Sequence, residues 1–315
     1  MSPRRSQSQQ RALRQGGATP RVRPPSGGGG RRPPRTWAES SGPYRQRRPW
    51  WAGPLPIVGV LVLIAVVVVV FVLVARHQAN QSTPAPAPTN AAAVVQQATH
   101  VPAGVYDSVG TGSVSQVVIT ATKSSVPLTG PDGKPELLYI GAVWCPYCAA
   151  ERWVMVTALS RFGTFSNVGV TSSTSSDVDP NTPTFSFANA KFTSPYLDFV
   201  PVETQDRNHN QLATPTSEQS SLMTKYDSGQ SIPFLMIGGA YTQNGASYDP
   251  GLLSGKSAST VAHDLQTTDL ASTQAIIGNA NLLTAAICQE THGQPASVCR
   301  SAGVVAAAKK LPATS

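Results

Sequence analysis

The sequence predicts an α/β domain whose mixed sheet is flanked by helices and interrupted by an inserted segment. It places this domain behind a single transmembrane helix and a disordered basic tail. Three observations predict this. Short apolar runs alternate with helical patterns beyond residue 105. Ile57 to Ala75 is free of charge and rich in Val, Leu and Ile. Of the 24 basic residues, twelve lie within residues 1–50, where Glu39 is the sole acid.

Residues 1–49 carry Arg, Gly, Pro, Ser and Gln with almost nothing apolar to bury, and read as a disordered cytoplasmic tail. The formal charge is +8, yet from residue 77 onward 11 basic residues face 15 acidic ones. The positive charge is therefore separable from the folded part, and without interleaved aromatics it does not read as a nucleic-acid arm. As a helix, residues 57–75 span about 28 Å, close to the roughly 30 Å of a hydrocarbon core. Trp50 and Trp51 fall at the interface. The span is assigned to 55–76, in contact with lipid through 57–75. The Arg-rich side stays cytoplasmic, which places the C-terminal domain outside the cell membrane. A cleaved signal peptide competes, but no clear Ala-x-Ala follows and the charged region is unusually long.

Residues 77–104, with Ser82-Thr83-Pro84-Ala85-Pro86-Ala87-Pro88, read as an extended linker. The folded domain is expected over 105–305, followed by a flexible tail at 306–315. Strands are expected at Val114–Thr122, Glu136–Val143, Val168–Thr171 and Pro233–Ile237. Thr184–Phe187 alternates with period two and is expected to pair with Phe199–Glu203. Helices are expected at Pro146–Phe162, Ser257–Leu270 and Thr273–Cys288. Another opens at Thr216-x-x-Gln219, in capping-box style, and runs to about Tyr226. Asn244-Gly245 signals a turn.

The sharpest chemical signal is Trp144-Cys145-Pro146-Tyr147-Cys148, directly after a predicted strand and opening a predicted helix. A thiol there meets unpaired helix N–H groups and the positive end of the helix dipole, which favour thiolate. Cys145 is thus the expected attacking thiol with a lowered pKa, and Cys148 the resolving thiol. Pro146 suits the first helical turn. Trp144 and Tyr147 are expected to shape the rim of a substrate site. Two other readings stand beside this one. A zinc half-site would need two more ligands, and His209 and His263 lack ligand spacing; Cys288 and Cys299 could contribute. A purely structural Cys145–Cys148 bond would leave a non-catalytic binding or scaffold module. No cofactor and no metal are expected.

Cys145 and Cys148, followed by Ser231-Ile232-Pro233 before the apolar Phe234–Ile237, resemble the thioredoxin superfamily. The resemblance implies that Pro233 is cis and packs against the cysteine pair, with Ile232 offering its backbone to an extended substrate. An ordinary trans proline opening a strand is the alternative. A closer resemblance is to the membrane-anchored domain of unknown function 929 family. It is carried by Gly141–Trp153, Ala158–Gly163, Thr182–Phe185, Ser194–Leu197, Ile232–Phe234 and the cysteine-bearing C-terminus. It covers roughly residues 105–300 and implies a thioredoxin-like domain without an assigned substrate.

The sequence departs from thioredoxin in one telling place. Thioredoxin carries a buried Asp six positions before its first active-site Cys, and here that position is Tyr139. Glu151, three residues after Cys148, could supply a carboxylate but is expected to be exposed, paired with solvent or Arg152. The Pro146-Tyr147 dipeptide resembles glutaredoxins, yet an extracytoplasmic domain meets little glutathione. Phe185, Phe187, Phe192, Phe199 and Tyr196 are expected to be extra core beneath the inserted segment rather than a substrate-facing surface. Cys288 and Cys299, with ten residues between them that include His292, Gly293 and Pro295, are expected to close a structural disulfide suited to an oxidising compartment. The expected activity is membrane-anchored, extracytoplasmic thiol–disulfide exchange. Its partners would be the thiols or disulfides of exported proteins, and a membrane redox partner to exchange electrons.

Overall fold

The computed structural model describes residues 64–70, 90–123 and 126–314. The chain divides into two units, Met1–His77 and Gln78–Ser315. In the first, residues 64–70 are helical (α1), with exposed Val and Ile side chains. The remainder of the apolar span expected at 55–76, and the basic tail expected at 1–49, lie outside the described residues. Among the described residues no helix is long and apolar enough to cross a membrane.

The second unit is built around a five-stranded mixed sheet. Its strands are β1 (Ile119–Ala121), β2 (Glu136–Gly141), β7 (Asp198–Glu203), β8 (Phe234–Ile237) and β9 (Tyr241–Asn244), in the order β1-β9-β8-β2-β7. β2 and β7 run parallel, with Glu136 opposite Asp198 and Gly141 opposite Glu203. The other pairings are antiparallel. Between β8 and β9 the chain reverses through Gly238 and Gly239, whose φ angles of 57° and 95° suit residues without a Cβ.

Strand periodicity assigns the side chains of β2 to two cores. Leu137 and Tyr139 join Trp153, Leu235, Ile237 and Ile276 on one face. Leu138 and Ile140 join Phe234, Met236 and Met223 on the other. Both faces are covered, so the strand reads as one continuous apolar run. On the larger face lie α4 (Pro146–Leu159) and α7 (Ala271–Glu290), and the smaller is closed by α5 (Ser217–Tyr226). The capping box expected for α5 is present, with Thr216 Oγ1 accepting from Gln219 N–H and Gln219 Oε1 from Thr216 N–H.

Several expectations are corrected. Of the extended linker expected at 77–104, residues 77–89 lie outside the described residues, and the rest carries α2 (Ala91–Thr99) and α3 (Ala103–Val109). Val94 and Ala98 sit four residues apart on one helical face and are buried in the main core, which overrides the spacer-like composition. Thr184–Phe187 does not pair with Phe199–Glu203. Instead β5 (Pro183–Ser186) pairs with β4 (Gly169–Ser172), while β3 (Thr164–Ser166) pairs with β6 (Lys191–Thr193). These two ribbons form the inserted segment. The expected strand from Val114 shrinks to β1. The helix expected over 257–270 stops early as α6 (Ala258–Asp264). A 3-10 turn, Pro250–Leu253, precedes it. Beyond α8 (Ala296–Cys299) and α9 (Ala302–Ala308), the tail expected to be flexible is docked. Leu311 packs on the core and Lys310 Nζ donates to Val114 O at 3.0 Å.

Cys288 and Cys299 are disulfide-bonded, with a Cα–Cα distance of 5.6 Å and a sequence separation of 11. The bond ties α8 to the end of α7. Glu290, two residues on from Cys288, crowds Gly238, so the end of α7 reaches the turn that follows Ile237 of β8. Ile232 and Pro233 sit at the other end. Replacing Cys288 and Cys299 with Ser is expected to remove about 3 kcal/mol of stability on chain-entropy grounds. Urea unfolding should show a lower midpoint at similar slope, and an unchanged midpoint would refute this role.

Candidate active site

The site begins where β2 ends. Gly141 leads through Ala142, Val143 and Trp144 to Cys145, the N-cap of α4. Cys145 has extended backbone (φ −74°, ψ 123°), and its Sγ accepts the Cys148 N–H at 3.2 Å. A sulfur thus does what Ser or Asp usually does at an N-cap, meeting an N–H the helix leaves unpaired. Pro146 occupies the first turn, where its missing N–H costs no hydrogen bond. The Ile232–Pro233 bond is cis, and Cys145 Sγ donates to Ile232 O at 3.9 Å. Fold and local geometry therefore bring Cys145, Cys148, Ile232 and Pro233 together.

The two thiols are unlike. Cys145 is 4% exposed and Cys148 is fully enclosed. The Cys145 thiol is held below its ordinary range, first by hydrogen bonding with Cys148, further by the Cys148 and Tyr147 amides and the Arg152 charge, against the opposing effect of burial. Burial pushes the Cys148 thiol well up, and Cys145 pushes it further, while Arg152 pulls it down. The two sulfurs therefore differ in how readily each becomes a thiolate.

The rim is arranged less simply than the sequence suggests. Tyr147 is exposed, at 45%. Trp144 is half-buried: its Nε1–H donates to Gln205 Oε1 at 2.8 Å and its ring stacks on His209 at 4.8 Å. His209 is thus a neighbour of the site through an aromatic contact, and His263 lies apart in α6. Among the described residues no group of three or more His, Cys, Asp or Glu could hold a metal ion. The phenylalanines pack as core. Phe185 meets Trp153 at 4.4 Å, Phe187 meets Phe199 at 5.1 Å, and Phe165 meets Phe192 at 4.8 Å.

Sequence reasoning missed the charged group under the cysteines. Arg152 is completely buried and pairs with Glu203 at the end of β7, Nε to Oε1 at 2.8 Å and Nη2 to Oε2 at 2.7 Å. Nη2 also donates to Ala142 O at 2.7 Å, and Glu203 Oε1 accepts Phe187 N–H at 3.1 Å. The available signal was spacing, because Arg152 is four residues after Cys148 and so on the same helical face.

Glu151 corrects the expectation of an exposed side chain paired with solvent or Arg152. It is fully buried on another side of α4, where Oε2 accepts from Ser247 N–H at 2.8 Å and Ser247 Oγ–H at 2.7 Å. Its Oε1 has no partner. Burial raises its pKa, only partly opposed by Ser247 and Gln243. The folded chain therefore binds this proton more tightly than the unfolded chain. Stability from Glu151 is greatest below the unfolded value of about 4.3 and is lost as pH rises through the folded value. Glu151→Gln should flatten that decline and leave the domain at least as stable as the parent at pH 8, measured by urea unfolding across pH. A steeper decline in the variant would contradict this.

The mixed sheet with flanking helices is consistent with a thioredoxin-like fold. Neither a curated protein nor a solved structure matches the chain. The family described as Domain of unknown function (DUF929) matches residues 121–289, which run from the last residue of β1 into the last turn of α7 and include both Cys145 and Cys148. The chain belongs to the DUF929 family.

Proposed function

We propose that this protein is a membrane-anchored thiol–disulfide oxidoreductase that acts on exported proteins outside the cytoplasm. The observation that carries the proposal is the asymmetry of Cys145 and Cys148. One sulfur caps a helix and accepts its amide, and the other is enclosed with its proton held tightly. The Cys145 thiolate attacks a substrate disulfide and forms a mixed disulfide. Cys148 then attacks Cys145 Sγ, releases the substrate thiol and closes the Cys145–Cys148 bond. The reverse sequence oxidises a substrate dithiol. Ile232, whose carbonyl faces Cys145 Sγ, lies where a bound polypeptide would run, with Trp144 and Tyr147 on the rim.

The compartment and the anchor are parts of the same proposal. The Cys288–Cys299 disulfide suits an oxidising environment. The exposed apolar side chains of residues 64–70 suit a lipid surrounding, and the Arg-rich segment before them suits the cytoplasmic side. A membrane redox partner would then supply or remove electrons, because the span contains no cysteine.

A binding or scaffold module with an inert Cys145–Cys148 bond is the second reading, favoured by the low exposure of Cys145. Alkylation of the reduced full chain separates the two. Cys145 should react first, with a midpoint below the free-thiol value of about 8.5, and Cys148 far more slowly. Cys148→Ser should accumulate mixed disulfides with exported proteins, and Cys145→Ser should accumulate none. Equal, slow alkylation with nothing trapped would leave the scaffold reading standing. Separately, protease added to intact spheroplasts should digest the domain beyond residue 100 and spare the Arg-rich tail. A protected domain would refute the topology.

A further inference from the structure

Two buried donors beneath the cysteine pair have no acceptor. Tyr139 Oη and Arg152 Nη1 are both enclosed and unpartnered. Buried polar groups are normally paired, so two such orphans in one place call for an explanation. Both groups bear on Cys148 through charge: Arg152 favours its thiolate, and that thiolate in turn bears on the Tyr139 phenol. Alternation along β2 turns Tyr139 toward the α4 face of the sheet. Arg152 follows Cys148 by one helical turn, and its guanidinium carbon lies 5.7 Å from the Tyr139 ring centre. A Cβ at Gly141 would collide with the Tyr139 hydroxyl, so the glycine is what admits the phenol there. The other guanidinium nitrogens are already committed to Glu203 and Ala142 O, which leaves Nη1 free to donate.

The missing acceptor is one that exists only during reaction. In the resting dithiol, Cys148 is a neutral thiol, and neither donor is hydrogen-bonded to its Sγ. Resolution turns it into a thiolate inside the protein. We infer that Tyr139 Oη–H and Arg152 Nη1–H are the donors held in place for the Cys148 thiolate, so that resolution of the mixed disulfide rests on a hydroxyl and a guanidinium. This inference rests on the thiol–disulfide reading above.

The step balances as follows. Cys148 loses its proton, and its thiolate attacks Cys145 Sγ of the Cys145–substrate disulfide. The Cys145–Cys148 bond forms, the bond to the substrate sulfur breaks, and the leaving thiolate takes up a proton. The substrate disulfide is reduced by two electrons and the enzyme dithiol is oxidised. The phenol is suited to its part, because burial holds it well above its ordinary range, with Arg152 opposing and Cys148, Glu203 and Cys145 adding to the rise. It therefore keeps the hydrogen it donates. The groups facing Cys148 are Arg152 and Cys145 from α4 and its cap, Tyr139 from β2, and Glu203 from β7. Glu203 is already engaged by Arg152 and by Phe187 N–H. Glu151 is turned to Ser247. α2, β5 and the 3-10 turn, which also pack on α4, contain no titratable residue. In α7 the titratable residue is Glu290, beside Gly238 at the far end of β8.

The test uses the reduced full chain and an aromatic disulfide reagent that releases a coloured thiolate at each step. The first phase reports attack by Cys145 and the second reports resolution by Cys148. Tyr139→Phe removes only an unpartnered hydroxyl and should preserve the fold. It should slow the second phase roughly tenfold at neutral pH and raise its pH midpoint by about one unit. The first phase and the Cys145 alkylation midpoint should not move. Arg152→Gln combined with Glu203→Gln leaves no lone buried charge and should also slow the second phase. A second phase unchanged in Tyr139→Phe, with the first phase intact, overturns this inference and spares the oxidoreductase reading. A parent chain without a selective first phase at Cys145 overturns both.

Discussion

The ion pair between Arg152 and Glu203 is the constraint on which the candidate site depends. Its partners are 0% and 1% exposed, and the two charges meet at 2.7 Å through a two-point contact. Arg is suited to this because its planar fork matches a carboxylate. The pair joins α4 to the C-terminal end of β7, and through Ala142 O it also reaches the turn that carries Cys145. Desolvating two charges is expensive, so such a pair adds little net stability compared with apolar packing. Removing one partner is another matter and costs about 3–5 kcal/mol, because the survivor stays buried and unpaired. The pair therefore fixes one relative placement of helix, turn and strand more than it raises overall stability.

That placement is reinforced from the other sides of α4. Trp153 Nε1–H donates to Pro183 O at 2.8 Å, and Thr184 Oγ1–H donates to Ala149 O at 2.9 Å, so the β4–β5 ribbon is bonded directly to the helix. Tyr248 Oη–H donates to Ala150 O at 3.0 Å. Except for Tyr147, every residue of α4 is buried. A helix enclosed in this way cannot tilt or slide without breaking several polar contacts at once. The cap at Cys145 is consequently held by the core, into which Ala142 and Val143 of the preceding turn are also buried. The inserted segment acts as a brace for the cysteine helix, and its phenylalanines pack inward for that reason.

The parts of this arrangement legible in the sequence are those specified locally. The cysteine pair, the strand before it and the helix after it follow from periodicity and cap chemistry within some twenty residues. The Thr216 and Gln219 capping box is local in the same sense, and so is the loop that brings Cys299 back to Cys288. What was not legible depends on partners far away in the chain. Arg152 reads as a surface residue until Glu203, 51 residues later, is known to meet it. Glu151 reads as exposed until Ser247 supplies two donors. α2 is rich in Ala, Val and Gln after a run of prolines, and only its burial against the main core separates it from a spacer. The pairing of β5 with β4 was hidden because alternation reveals a strand but does not choose its neighbour.

Cys145 and the end of the helix that carries Cys288 meet opposite ends of one strand, and this separation has a chemical consequence. β8 carries Pro233 and Ile232 before its first residue and reaches the Glu290 region after its last, about 13 Å of strand in all. Thiol–disulfide exchange requires direct contact between attacking and attacked sulfurs. A thiolate at Cys145 or Cys148 therefore cannot attack Cys288–Cys299 while β8 remains in the sheet between its neighbours β2 and β9. Hydrogen bonds on both edges and apolar packing on both faces make β8 among the hardest elements to displace. On the proposed function the chain needs such a barrier, because an attacking thiolate does not discriminate between a foreign disulfide and its own. Here the barrier is the sheet itself.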